Sequence, residues 1–108
     1  MANKESILGF IGLARKAGKV ASGTDSVIKA LTNGSAKLLI VAEDVSSNTV
    51  SKILDNVTYE IGMYRFATMD ELGAAINSAP KGVLAITDEG FAAGIDKKLA
   101  SVRRKMNE

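Results

Sequence analysis

Residues 37–42 read Lys-Leu-Leu-Ile-Val-Ala, and this stretch decides the class of fold. The apolar run from Leu38 to Ala42 is unbroken, which is typical of a strand that is covered on both faces of a sheet. Residues 83–87, Val-Leu-Ala-Ile-Thr, form a second run of this kind. Both are far too short to span a bilayer. A sheet with two covered faces requires helices in a layer on each side.

Helical and strand patterns alternate around these two runs. The first helix carries an apolar stripe that includes Ile7, Ile11 and Ala14 and ends near Gly18. The alternation predicts one domain over residues 1–108, an α/β protein folded as a three-layer α/β/α sandwich with a small, mainly parallel sheet of about four strands. The predicted strands are Val20–Ser22, Lys37–Ala42, Met63–Ala67 and Val83–Thr87.

Small polar residues that cap helices precede the later helical patterns. We expect Thr24 to cap the second helix, which the dipeptide Asn33-Gly34 then closes. The remaining predicted helix starts are Ser46 or Ser47, Thr68 or Asp70, and Asp88. The last helix is expected to fray into the basic residues 103–105.

The composition excludes several kinds of site. The chain has no cysteine and no histidine, so disulfides, thiolate zinc sites and the commonest general base are absent. The run Ile7–Ala14 leads directly into Arg15 and Lys16 with no small-residue cleavage site, so we interpret it as an amphipathic helix and expect a cytoplasmic protein.

Charge is segregated along the chain although the net charge is only +2. Residues 1–38 carry six basic residues (Lys or Arg) and two acidic ones. Residues 43–96 carry three basic and nine acidic residues, and residues 97–108 carry five basic residues and one acidic residue. Such blocks can place one basic face on a nearly neutral protein, which favours a polyanionic partner. Solvated surface charge is the alternative interpretation.

The helix that opens around Gly23 is the first candidate site. Its free backbone N–H groups favour anions, and phosphate is the obvious candidate. Asp25 and Lys29 share a face one turn apart, where Thr24 could add its hydroxyl. The alternative is that Asp25 and Lys29 form an ordinary ion pair, worth only about 0.3–0.5 kcal/mol.

Acidic pairs follow the two apolar strands. Glu43-Asp44 could hold Mg²⁺, but with no third carboxylate at a defined spacing we favour solvated or helix-capping roles. The same holds for Asp88-Glu89. No metal site and no cofactor are predicted, and neither a Walker-type loop nor a Gly-x-Gly-x-x-Gly motif is present.

Several strings in order, from about Ile7 to Leu99, resemble the kink-turn RNA-binding ribosomal protein family of the archaeal L-seven-Ae type, and most closely its bacterial YlxQ-like branch. The strings lie at Gly12–Gly23, Ala36–Thr49, Glu71–Gly73 and Val83–Ala92. The resemblance implies an α/β/α fold that binds kinked RNA without catalysis. It also implies structured RNA, above all ribosomal RNA, as the partner.

The family's RNA motif is Gly-x-Asn-Glu-x-x-Lys at the start of the second helix. Gly23 and Lys29 match it, whereas Asp25 replaces Asn and Ser26 replaces Glu. An Asp loses the amide donor but can still accept a hydrogen bond from a base amine. The family's second RNA-contacting loop corresponds to Ser78–Gly82, which does not match residue for residue.

The resemblance therefore predicts an RNA surface whose residues are Lys16, Lys19, Gly23, Thr24, Asp25, Ser26 and Lys29, with Lys37 as a further cation. Two alternatives stay open. The same fold could serve as a protein-interaction module, or Glu43 and Asp44 could serve a small phosphate- or nucleotide-binding enzyme.

Overall fold

Within residues 2–106, five helices and four strands alternate in the predicted order. The computed structural model describes residues 2–106. The helices are α1 (Lys4–Lys16), α2 (Thr24–Thr32), α3 (Ser47–Asp55), α4 (Met69–Ala75) and α5 (Glu89–Ala100), and the strands are β1 (Val20–Ser22), β2 (Leu38–Val41), β3 (Gly62–Arg65) and β4 (Val83–Ile86). None of the helices within residues 2–106 has the length and apolar character of a membrane-spanning segment.

The central strand β2 separates two hydrophobic cores. Leu38 and Ile40 face one core, and Leu39 and Val41 face the other, because successive side chains of a strand point to opposite faces. The first core is completed by α1, α4 and α5, and the second by α2 and α3. The three-layer α/β/α architecture predicted from the unbroken apolar runs is confirmed.

The expectation of a mainly parallel sheet is wrong. The strand order is β1-β4-β2-β3. Only β2 and β3 pair in parallel, whereas β4 is antiparallel to both β1 and β2. The sheet is therefore mixed, with its two antiparallel pairings on either side of β4.

The connection from β3 to β4 explains this difference. After α4 the chain turns back along the helix, and the Lys81 N–H donates to the Met69 carbonyl at 3.1 Å. The return path passes so close to α4 that a Cβ atom on Gly73 would lie 2.8 Å from the Cα of Pro80. The connection leaves β3 and enters β4 at the same end of the sheet, because Arg65 and Val83 both pair with Val41. The strand β4 must therefore run in the opposite direction to β3.

Three predicted helix starts are confirmed by their caps. The side chains of Ser46, Thr68 and Asp88 accept hydrogen bonds from the backbone N–H three residues on, at 3.2, 3.1 and 2.9 Å. Each such cap satisfies one N–H group that the helix itself leaves unpaired. After α5 the chain leaves helical structure and runs beside β3, where the Met106 N–H donates to the Met63 carbonyl at 2.8 Å.

Two helical glycines give a matched test of the close return past α4. Gly73→Ala should lower the free energy of unfolding by about 1–3 kcal/mol, because the added methyl group overlaps the returning backbone. Gly9→Ala in α1 should instead raise it by about 0.5–1 kcal/mol, because nothing lies within 4 Å of the added atom and alanine favours a helix. Urea unfolding of both variants measures the difference. Equal effects of the two changes would contradict the proposed role of Gly73.

Candidate nucleic-acid interface

Glycine is required where β1 ends and α2 begins. Gly23 has a φ of +86°, a conformation that L side chains rarely adopt. Its N–H donates to the Val83 carbonyl at 3.0 Å, which joins the start of α2 to the start of β4. The predicted capping role of Thr24 is wrong, because Gly23 occupies the N-cap position and Thr24 is the first helical residue.

The N-terminus of α2 is open, unlike that of the other four helices. Asn3, Ser46, Thr68 and Asp88 cap those helices with side-chain oxygens. No side chain in the described part of the chain caps α2. The N–H groups of residues 24–26 are therefore available to an acceptor from outside, and the positive end of the helix dipole favours a negatively charged one.

Lys81 adds a positive charge at this helix start. A Cβ atom built on Gly23 would lie 4.0 Å from the Lys81 Nζ atom. The fold therefore brings together the two segments that the resemblance implicated, the start of α2 and the Ser78–Gly82 loop. Sequence reasoning named this loop but missed its lysine, because proximity to Gly23 depends on the antiparallel insertion of β4.

Lys29 is exposed and takes part in no ion pair within residues 2–106. The alternative interpretation, an ion pair between Asp25 and Lys29 on one face of the helix, is therefore not realised. Asp25 and Ser26 are exposed as well, and Thr24 is half-buried. Besides the Lys81 ammonium, α2 thus offers the ammonium of Lys29, one carboxylate and two hydroxyls along with its open N–H groups.

The other predicted cations lie elsewhere. Lys16 lines a groove between α1 and α4. Lys19 precedes β1 and lies beside Thr87 at the far end of β4, roughly 13 Å along the strand from Gly23. Lys37 is also at that far end, where its Nζ donates to the Gly34 carbonyl at 3.4 Å. The predicted set is thus spread over the surface rather than gathered at one point.

Three of the four carboxylates in the acidic pairs have structural partners. Asp44, in the loop between β2 and α3, accepts a hydrogen bond through its Oδ1 atom from the Met69 N–H at 2.8 Å. It thereby pairs an N–H group that the start of α4 leaves unpaired. Glu43 pairs with Arg103 at 3.2 Å. Asp88 caps α5. The described residues contain no group of three or more metal-ligating side chains, so these carboxylates form no recognisable cation site there.

Among the described residues, the surroundings shift the pKa values of Glu71 and Tyr59. The hydrogen bond from Lys4 lowers the pKa of Glu71, with further help from the Thr68 backbone. Burial raises the pKa of Tyr59, whose hydroxyl donates to the Ala36 carbonyl at 2.8 Å. Glu71 also completes the capping box of α4 with Thr68, and neither group suggests proton-transfer chemistry.

Comparison with known proteins identifies a family. A model of the ribosomal protein L7Ae/L30e/S12e/Gadd45 family matches residues 5–95. The RNA-binding protein YlxQ of Bacillus subtilis strain 168 is 42% identical over 84 residues, 77% of this chain and 84% of the relative. The large ribosomal subunit protein eL8 of Cenarchaeum symbiosum is 33% identical over 105 residues, 94% and 83% of the two chains. The resemblance expected from the sequence strings is confirmed.

Solved structures agree with the fold. A protein of unknown function from Bacillus halodurans C superimposes with a TM-score of 0.82 at 29% identity, over 87% of this chain and 96% of the other. The 15.5kD RNA binding protein of Giardia lamblia gives a TM-score of 0.66 at 21% identity, over 94% and 91%. The second likeness supports the common fold alone.

The capping role of Asp44 can be tested directly. Asp44→Ala should lower the free energy of unfolding by about 1 kcal/mol, because it removes the acceptor for the Met69 N–H. Asp44→Asn should retain most of the stability, since its side-chain oxygen can still accept. Glu43→Ala is the neighbouring control, with an expected cost below about 0.5 kcal/mol for an exposed ion pair. Chemical unfolding of the three variants would refute the role if the Ala and Asn variants were equally destabilised.

Proposed function

Since the chain belongs to the ribosomal protein L7Ae/L30e/S12e/Gadd45 family, we propose that it binds structured, kink-turn-like RNA as a single non-catalytic domain. The observation that carries the proposal is the open N-terminus of α2 beside the Lys81 ammonium. The names of its relatives, an RNA-binding protein and a large ribosomal subunit protein, support association with the ribosome in the cytoplasm.

The chemistry of the α2 start suits a phosphate at a distorted point of an RNA. Backbone N–H groups at a helix N-terminus bind phosphate oxygens, and the absence of a side chain on Gly23 permits close approach. Lys81 supplies positive charge beside Gly23, and Lys29 supplies it one helical turn after Asp25. A-form RNA hides its base edges in a deep, narrow groove, so a protein of this shape reads an exposed element such as a kink.

Asp25 and Ser26 would face the bases rather than the phosphates. A carboxylate accepts hydrogen bonds and donates none, so Asp25 favours guanine, adenine or cytosine amines and disfavours the O6 acceptor of guanine. The Ser26 hydroxyl can donate or accept. These two residues replace the Asn and Glu of the family motif, so they are the positions where base preference would differ from that of relatives.

The proposed role involves no catalysis. The chain contains no histidine or cysteine, and Asp44 and Glu43 are engaged with the start of α4 and with Arg103. A carboxylate held by a backbone N–H or by a guanidinium is occupied rather than poised to activate water. Mg²⁺-dependent hydrolysis of nucleotides by the purified wild-type protein, lost in the Asp44→Ala variant, would contradict this part.

Lys29 provides the first test of RNA binding. Lys29→Ala should weaken binding of a kink-turn RNA and lower the slope of log K against log salt by roughly 0.7–0.9, the value for one lost phosphate contact. Lys97→Ala is the matched control, because both are exposed lysines in the last turn of a helix but lie on opposite sides of the sheet. Binding isotherms over a salt series measure both slopes.

The same titration uses two RNAs. One contains a kink turn, in which tandem G·A pairs follow a bulge. The other replaces the kink turn with an uninterrupted duplex of equal length and charge. The proposal requires the kinked RNA to bind more tightly. Equal affinity for the two RNAs, or an equal change of slope in the Lys29 and Lys97 variants, would contradict it.

Asp25 provides a test of base readout. Asp25→Asn should change the relative affinity for kink-turn RNAs that differ at the G·A pairs by about 1–3 kcal/mol. Removing a negative charge strengthens binding of every RNA, so the ratio between RNAs is the informative quantity. Competition binding with a small set of kink variants measures that ratio. A uniform shift for all variants would assign Asp25 a purely electrostatic effect.

A further inference from the structure

A shallow polar groove leads away from the α2 start along the open edge of β1. Its volume is about 510 Å³, and its floor is formed by β1 itself. One wall is formed by Arg15 near the end of α1 and by Gly18 in the turn that follows, and the other includes Ser26 and Lys29 of α2. Because Ser26 and Lys29 also belong to the proposed RNA surface, the groove continues that surface across the protein.

The backbone of β1 points hydrogen-bonding groups into this groove. The Thr87 N–H donates to the Lys19 carbonyl, and the Gly23 N–H donates to the Val83 carbonyl. Bonding groups alternate sides along an antiparallel strand, so Ala21 faces β4 while Val20 and Ser22 face the open edge. Since β1 is the outermost strand, the N–H and C=O groups of these two residues are left for a partner.

The side chains favour the sugar–phosphate backbone of RNA over its bases. Two of the lining residues, Arg15 and Lys29, are positively charged, and neither takes part in an ion pair within residues 2–106. None of the described residues that line the groove is acidic or aromatic. Phosphates and 2′-hydroxyls can therefore be bound, whereas the stacking surfaces that hold single-stranded bases are lacking.

We propose that this groove holds the backbone of the RNA strand that continues from the kink, with Arg15 contacting a phosphate and the open edge of β1 bonding phosphate or 2′-hydroxyl groups. The proposal rests on the proposed function and extends it to a second point of contact. The contribution of the groove to RNA affinity is independent of base sequence, and contact with the groove fixes the direction in which the RNA leaves the kink. A protein segment added to the β1 edge as an extra strand is the competing occupant.

The test compares three RNAs that share one kink. One has both flanking stems, and each of the others is shortened to the kink on one side. For the full RNA, Arg15→Ala should weaken binding about threefold to tenfold and lower the salt slope by roughly 0.7–0.9. For one of the shortened RNAs the same change should have no effect. Arg15→Lys should restore the slope, and Lys97→Ala should leave all three affinities unchanged.

Hydrogen exchange gives a readout at the groove floor. The amides of Val20 and Ser22 should exchange more slowly in the complex with the full RNA than in the complex with that shortened RNA. Unchanged exchange at both amides, or an Arg15→Ala effect that is equal for all three RNAs or absent from all, would overturn the groove assignment and leave the β1 edge to a protein strand. Failure of the proposed function is a separate result, in which the wild-type protein does not prefer the kinked RNA.

Discussion

The hydrogen bond from the Gly23 N–H to the Val83 carbonyl, 3.0 Å long, is the interaction on which the candidate surface depends. It holds the start of α2 against the start of β4, and it forms only because β4 is inserted antiparallel beside β1. The residues before Val83 are thereby carried to the helix start, and the Lys81 ammonium with them. The positive φ of Gly23 leaves the N-cap position without a side chain, so the helix remains open to an anion.

Ion pairs neutralise some of the basic residues in the fold and leave others unpaired. In the C-terminal basic block, Arg103 forms an ion pair with Glu43 and Lys105 forms one with Asp96, so both pair with acids of the stretch 43–96. Around α2, by contrast, Arg15 and Lys29 take part in no ion pair within the described residues. The surface around α2 therefore carries positive charge that no ion pair of the described residues neutralises, and association with RNA there should weaken as salt increases.

The sequence predicted the layers because unbroken apolar strands need cover on both faces, and it predicted the caps at Ser46, Thr68 and Asp88 because capping is local chemistry. Strand direction was mispredicted, since alternation of helices and strands does not reveal that the chain returns along α4 past Gly73. The cap of α2 was mispredicted because the positive φ of Gly23 leaves Thr24 inside the helix. Arg15 and Lys81 were missed as site residues for a related reason: their positions follow from tertiary packing.

The central claim is that RNA lies on the α2 start and the neighbouring Ser78–Gly82 loop. Ultraviolet crosslinking of the wild-type protein to RNA in cells, with the crosslinked peptides identified by mass spectrometry and the bound RNA sequenced, measures this most directly. The account predicts crosslinks within residues 15–29 and 78–82, together with RNAs enriched in kinked, structured elements. Crosslinks concentrated in the acidic stretch 43–60, or bound RNA with no structural preference, would contradict it.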